Sequence, residues 1–123
     1  LPLSELNQKS KDRIAKSKNF NRLSSINDSL SLLSNKTFSI PLNPQFFKKN
    51  EKVTQLLIDE MEENMYDSST VYTVMNNTYD KKVIDFDEFT KEMNLRAVTG
   101  IQEDIYIEEA YFILKDLITF IKN

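Results

Sequence analysis

Two clusters of charged side chains have the greatest capacity for chemistry in this chain. They are an acidic run, Asp59, Glu60, Glu62 and Glu63, and a basic series, Lys9, Lys11, Arg13, Lys16 and Lys18. Clustered carboxylates can bind a cation, and clustered lysines and arginines can neutralise the phosphates of a nucleic acid. Beside an apolar stripe, however, such charges more often form the solvated face of a helix. We therefore predict that neither cluster holds a metal, and we treat both solvated clusters as candidate partner-binding surfaces.

The residue types that are missing exclude several kinds of catalytic chemistry. The chain has no Cys and no His, so it has no thiol nucleophile, no zinc–thiolate site and no imidazole base or metal ligand. Its single glycine, Gly100, excludes a glycine-rich phosphate loop. We therefore predict a protein that is not an enzyme, with no catalytic residues and no cofactor. The absence of Cys also favours an intracellular location.

The stretch from Ile84 to Met93 contains the only motif-like string. The isoleucine is followed two positions later by Phe86, and Glu88 comes directly before another phenylalanine. This spacing resembles the second half of an EF-hand, in which Glu88 would be the last ligand of the loop and Asn77 the first. The sequence departs from the pattern upstream, where Lys82 stands at the position of the turn glycine. The resemblance implies a divergent EF-hand-like regulatory module, metal-free or weakly metal-binding, as an alternative function.

The same stretch also has a purely structural interpretation. Asp85 would cap a helix and Glu88 would complete a capping box. The inner face of that helix would carry Phe86, Phe89, Met93 and Ala97, and Gly100 would follow as its C-cap. We favour this interpretation. A more remote alternative is an enzyme that binds Mg²⁺ through Asp85, Asp87 and Glu88.

Apolar periodicity predicts the helices that would position these groups. A 3-4-3 spacing of Leu23, Ile26, Leu30 and Leu33 predicts a helix over 22–34. Further helices are predicted over 44–66, with Asn43 as N-cap and Pro44 in the first position, over 67–79 and over 85–98. The last helix, 103–123, has one apolar stripe at Ile107, Ala110, Leu114, Leu117 and Ile121 and a second at Tyr106, Ile113 and Phe120. Two stripes predict a central helix.

Charge and proline positions divide the chain. Residues 1–52 carry a net charge of +6 and residues 53–123 carry −9. This asymmetry favours either binding of a charged partner at one end or attraction between the two halves within the fold. Residues 1–19 are predicted to be a basic N-terminal arm or marginal helix, and residues 20–123 a helical domain. Pro41 and Pro44 predict that residues 35–44 form an extended connector.

These observations predict an all-α fold, a single compact bundle of five or six helices with a proline-containing extended connector. The predicted function is a non-catalytic protein–protein interaction or assembly module, a helical domain or subunit of a larger complex. Its partner would be another protein, bound through a helical face or the charged surfaces. Nucleic acid bound by the basic arm is the lesser alternative, and a homo-oligomer is a further one. No apolar run approaches the length of a membrane span.

Overall fold

The computed structural model describes residues 2–35 and 43–122. Within these residues the chain forms six α-helices and no β-strand: α1 (Leu3–Lys16), α2 (Lys18–Asn35), α3 (Pro44–Asn64), α4 (Lys81–Ile84), α5 (Glu88–Glu103) and α6 (Ile105–Lys122). The all-α prediction is therefore confirmed. Most of the connector predicted at 35–44 lies outside the described residues.

The chain divides into two compact units. The larger unit comprises Leu1–Ser10 and Tyr66–Asn123, and the smaller unit comprises Lys11–Met65. The point of division lies within α1. The domain boundary that the sequence suggests after residue 19 stays a prediction.

In the smaller unit, α2 packs against α3. Leu23 and Ile26 are buried, so the predicted stripe forms the inner face of α2. The Arg22 side chain donates through Nε to Glu60 Oε1 at 2.6 Å, which joins the two helices on their exposed edge. The start of α3 is also as predicted, because the Asn43 side chain accepts the backbone N–H of Gln45 at 2.9 Å.

The helix predicted over 67–79 does not form. The Asp67 carboxylate instead accepts the Ser69 backbone N–H at 2.8 Å and the Ser69 hydroxyl at 2.6 Å, which closes a turn where a helix would begin. Backbone N–H groups of the segment bond to the end of α5. Asp67 N–H donates to the Glu103 carbonyl at 2.7 Å, and Val74 N–H donates to the Gln102 side chain at 3.2 Å. Hydrogen bonds to the Asp67 side chain and to the end of α5 therefore take the place of the backbone hydrogen bonds that a helix would form.

The start and end of α5 also differ from the prediction. Its N-cap is Asp87, whose carboxylate accepts the Thr90 N–H at 2.6 Å. The prediction of a capping box formed by Asp85 and Glu88 is therefore wrong. Asp85 is instead the residue that ends α4. Gly100 is not a C-cap, because it has no positive φ and lies inside a helix that continues to Glu103.

The predicted inner face of α5 is its exposed face. Phe86 is 82% exposed and Phe89 is 72% exposed, and Met93 is exposed as well. The less exposed side of the helix carries Thr90, Asn94 and Val98. The apolar pattern identifies an apolar face, but it does not say whether this domain or another body covers that face.

Gly100 gives a direct test of the extended α5. An added Cβ would meet no atom within 4 Å, and alanine favours a helix interior over glycine by about 1 kcal/mol. We expect Gly100→Ala to raise the free energy of unfolding, measured by urea denaturation, by up to about 1 kcal/mol. Ala97→Gly, an exposed position of the same helix, is the control and should lower it by a similar amount. A destabilised Gly100→Ala variant would contradict this helix geometry.

Candidate docking surface

One charged side chain of α1 contacts one side of α6 within the larger unit. The Lys9 ammonium lies 3.2 Å from Asp116 Oδ1 and 4.8 Å from the ring centroid of Phe120. Such a cation is attracted both by the carboxylate and by the ring face. Asp116 and Phe120 therefore mark the inner side of α6. The helix begins at Asp104, whose carboxylate accepts the backbone N–H groups of Tyr106 at 2.7 Å and Ile107 at 3.2 Å.

The opposite side of α6 is an exposed apolar stripe, here called the α6 stripe. Its members are Ile107, Tyr111, Leu114, Ile118 and Ile121, spaced 4-3-4-3 and between 37% and 70% exposed. Only Ile105 is buried among the described residues of this helix. The prediction of a central helix covered on two sides is therefore wrong. The domain covers the side of Asp116 and Phe120, and Tyr72 packs against Tyr111 with the ring centroids 5.2 Å apart. The other members of the α6 stripe remain accessible.

A shallow concavity of about 630 Å³ lies along the α6 stripe. It is lined by Tyr111, Leu114, Lys115, Ile118, Thr119 and Lys122. Apolar side chains form its centre, and the two lysines add positive charge to its edge. Such a surface suits an amphipathic polypeptide whose apolar residues contact the leucine and isoleucine and whose acidic residues lie near the lysines.

A second exposed apolar surface lies at the start of α5 and is here called the α5 stripe: Phe86, Phe89 and Met93. These residues follow each other at intervals of three and four positions and are all exposed. Exposed aromatic side chains in such a row are unusual on a free protein surface.

The buried apolar core of the described residues is small. It consists of Leu6 and Ile105 in the larger unit and of Leu23 and Ile26 in the smaller unit.

The charged residues predicted as partner-binding surfaces lie on three helices. The basic series follows α1 and the first residue of α2. Of its members, Lys9 is held by Asp116 and Phe120. In the acidic run on α3, Glu60 pairs with Arg22, and Asp59 accepts the Gln55 amide at 2.8 Å. Glu62 and Glu63 are exposed. Partner binding by either cluster stays a prediction.

A third group of ionisable side chains fastens the 66–80 segment. Burial raises the pKa of Tyr72, and the nearby Glu108 and Asp104 carboxylates raise it further. Burial also raises the pKa of Glu108, with Asp67 repulsion adding to it. Hydrogen bonds from Ser69 lower the pKa of Asp67. Tyr72 also donates its hydroxyl to the Ile101 carbonyl at 3.2 Å, so this group anchors the segment to the helices.

The described residues contain no group of three or more acidic side chains arranged to hold a metal ion. In the stretch that resembles an EF-hand, the Glu88 carboxylate lies 3.7 Å from Lys91 in the next turn of α5. Within that described part there is also no helix long and apolar enough to cross a membrane.

The described residues form a helical domain with two exposed apolar stripes. A family model described as the C-terminal domain of tail specific protease (DUF3340) matches residues 2–119. The chain belongs to this family. No curated protein matches the chain, and no solved structure matches it.

The family corrects the prediction that the protein is not an enzyme. The matching description places the domain in a protease, so that prediction is wrong. It rested on the residue types that this chain lacks. Residue types within one domain do not limit the chemistry of the larger enzyme that contains it. The apolar periodicity of the sequence identifies the residues of both stripes. It predicts that they lie in a core, whereas the structure leaves them exposed.

The inner side of α6 can be tested at Lys9. Lys9→Ala removes the ion pair with Asp116 and the contact with Phe120, so we expect it to lower the free energy of unfolding by about 0.5–1 kcal/mol. Lys11→Ala changes an exposed lysine of the same helix and should have an effect below about 0.5 kcal/mol. Urea denaturation at low salt measures both. Equal stability of the two variants would show that Lys9 does not hold α6.

Proposed function

We propose that this chain is an assembly domain of a tail-specific protease and that it packs onto another part of that protease through the α6 stripe. The observation that carries the proposal is the continuous apolar row along α6, exposed in a domain of a larger protein. The α5 stripe extends the apolar surface available to the same protease. The protease would cleave polypeptides, and this domain would contribute to its assembled structure.

The energy available from the α6 stripe supports this proposal. Complete burial of one large apolar side chain stabilises a protein by about 1.5–3 kcal/mol. Five side chains that are still 37–70% exposed can therefore contribute roughly 5 kcal/mol when a partner covers them. This value is comparable with the whole stability of a small domain. Docking of α6 would thus decide whether the larger protein is stable in one assembled form.

The spacing of the α6 stripe also suggests the shape of its partner. Intervals of four and three positions form the line along which one helix packs against another. Lys115 and Lys122 line the same concavity and favour a partner with acidic residues beside its apolar ones. An amphipathic helix from elsewhere in the protease meets both requirements.

The test compares one substitution in two contexts. Leu114 is 59% exposed, so we expect Leu114→Asp to leave the fold of the 123-residue chain intact. In the full-length protease the same aspartate would be buried in an apolar interface. We expect it there to lower the unfolding temperature and the rate of peptide cleavage, because a buried charge without a partner is strongly destabilising.

Leu32→Asp is the matched control, because Leu32 is 63% exposed on α2 and receives the same charge. It should leave the full-length protease unchanged. If Leu114→Asp unfolds the chain alone, the α6 stripe belongs to the core of this domain. If Leu114→Asp alters neither the isolated chain nor the full-length protease, the α6 stripe is not an interface. Either result contradicts the proposal.

A further inference from the structure

The charges of α3 are arranged against the dipole of that helix. Its N-terminal half carries Lys48, Lys49 and Lys52 beside one acidic residue, Glu51, and its C-terminal half carries only acidic charges: Asp59, Glu60, Glu62 and Glu63. The first turn has no acidic residue, and the last turn has no basic residue. The N-terminus of a helix is partially positive and its C-terminus partially negative, so this order disfavours α3. Glu60 is used within the fold by its ion pair with Arg22, whereas charges without such a pair suggest a role in binding.

One exposed line along α3, here called the α3 stripe, contains both signs of charge around a single leucine. Its residues are Lys49, Lys52, Leu56, Asp59 and Glu63, spaced 3-4-3-4 and all exposed. Leu56 is 60% exposed. Lys49, Lys52 and Glu63 make no ion pair within the described part of the chain. Two cations, one apolar residue and two carboxylates are therefore presented in a row.

The α3 stripe is complementary to a reversed copy of itself. Leu56 lies seven positions from Lys49 and seven from Glu63. When a second α3 lies antiparallel to the first, the two Leu56 side chains meet. Each Lys49 then faces the Glu63 of the other helix, and each Lys52 lies within one position of the other helix's Asp59. The two-fold symmetry repeats each pair, whereas parallel helices would place like charges together.

We propose that the α3 stripe binds the α3 stripe of a second copy of this chain, with the two helices antiparallel and related by a two-fold axis. A contact between two single helices is small, so the dimer is expected to be weak and transient. Its ion pairs are exposed, so its affinity falls as the salt concentration rises. This surface lies in the smaller unit, and the proposal does not depend on docking of the α6 stripe.

The test is charge reversal and its rescue, measured by sedimentation equilibrium of the full-length protease at low salt over a range of concentrations. Lys49→Glu and Glu63→Lys each place two like-charged pairs in the interface. Each should weaken self-association about tenfold. The double variant restores opposite charges and should recover the affinity. The two positions are about 21 Å apart along one helix, so the recovery can only arise between molecules.

Lys48→Glu is the matched control, because it makes the same change at a neighbouring position off the α3 stripe. It should leave the affinity within about twofold of the unmodified protein, as expected for a charge outside the contact. Circular dichroism checks that each variant keeps its helices, which is expected because all the changed side chains are exposed. The proposal is overturned if the protease stays monomeric at every concentration. It is also overturned if the double variant is as weak as the single ones, or if Lys48→Glu is as disruptive as Lys49→Glu.

Discussion

The contact of Lys9 with Asp116 and Phe120 is the interaction on which this account of α6 depends. An ammonium 3.2 Å from a carboxylate and 4.8 Å from a ring centroid covers one side of the helix. Because α6 has apolar residues around more than half of its circumference, covering that side leaves most of the α6 stripe exposed on the other. Lys9 belongs to the basic series predicted to bind a partner, and that prediction stays open beside its contact with Asp116.

The distribution of apolar side chains explains why the chain is better understood as part of an enzyme than as an independent protein. Four buried apolar residues form the core of the described part, while rows of large apolar side chains remain exposed on α5 and α6. A domain that completes its own core rarely leaves such rows open. Membership in a family of protease C-terminal domains gives these rows a physical reason, since the remainder of a larger protein can cover them. The exposed charges of α3 are a separate matter, because they lie in the other unit and suit a copy of the same helix.

The helices could be predicted where local sequence decides the structure. The 3-4-3 row of leucine and isoleucine identified α2 and its buried face, and Asn43 with Pro44 identified the first turn of α3. The failures occurred where longer-range contacts decide. The 66–80 segment bonds to Glu103, Ile101 and Gln102, which no local pattern shows. The row of Phe86, Phe89 and Met93 was correctly read as apolar, but periodicity does not distinguish a face covered by the same domain from one left open. The prediction of a non-enzyme failed because it used only the residue types of this domain. The absence of Cys and His here does not limit the catalytic residues of the larger protease that contains the domain.

Hydrogen–deuterium exchange of α6 measures whether another part of the protease covers the α6 stripe. The exchange of its amides would be measured in the 123-residue chain and in the full-length protease, with α2 as the internal reference. If another part of the protease covers the α6 stripe, the amides of residues 107–121 exchange more slowly in the full-length protein, while α2 exchanges at the same rate in both. Equal exchange of α6 in the two proteins would contradict the claim, because it would mean that the apolar stripe stays uncovered in the assembled enzyme.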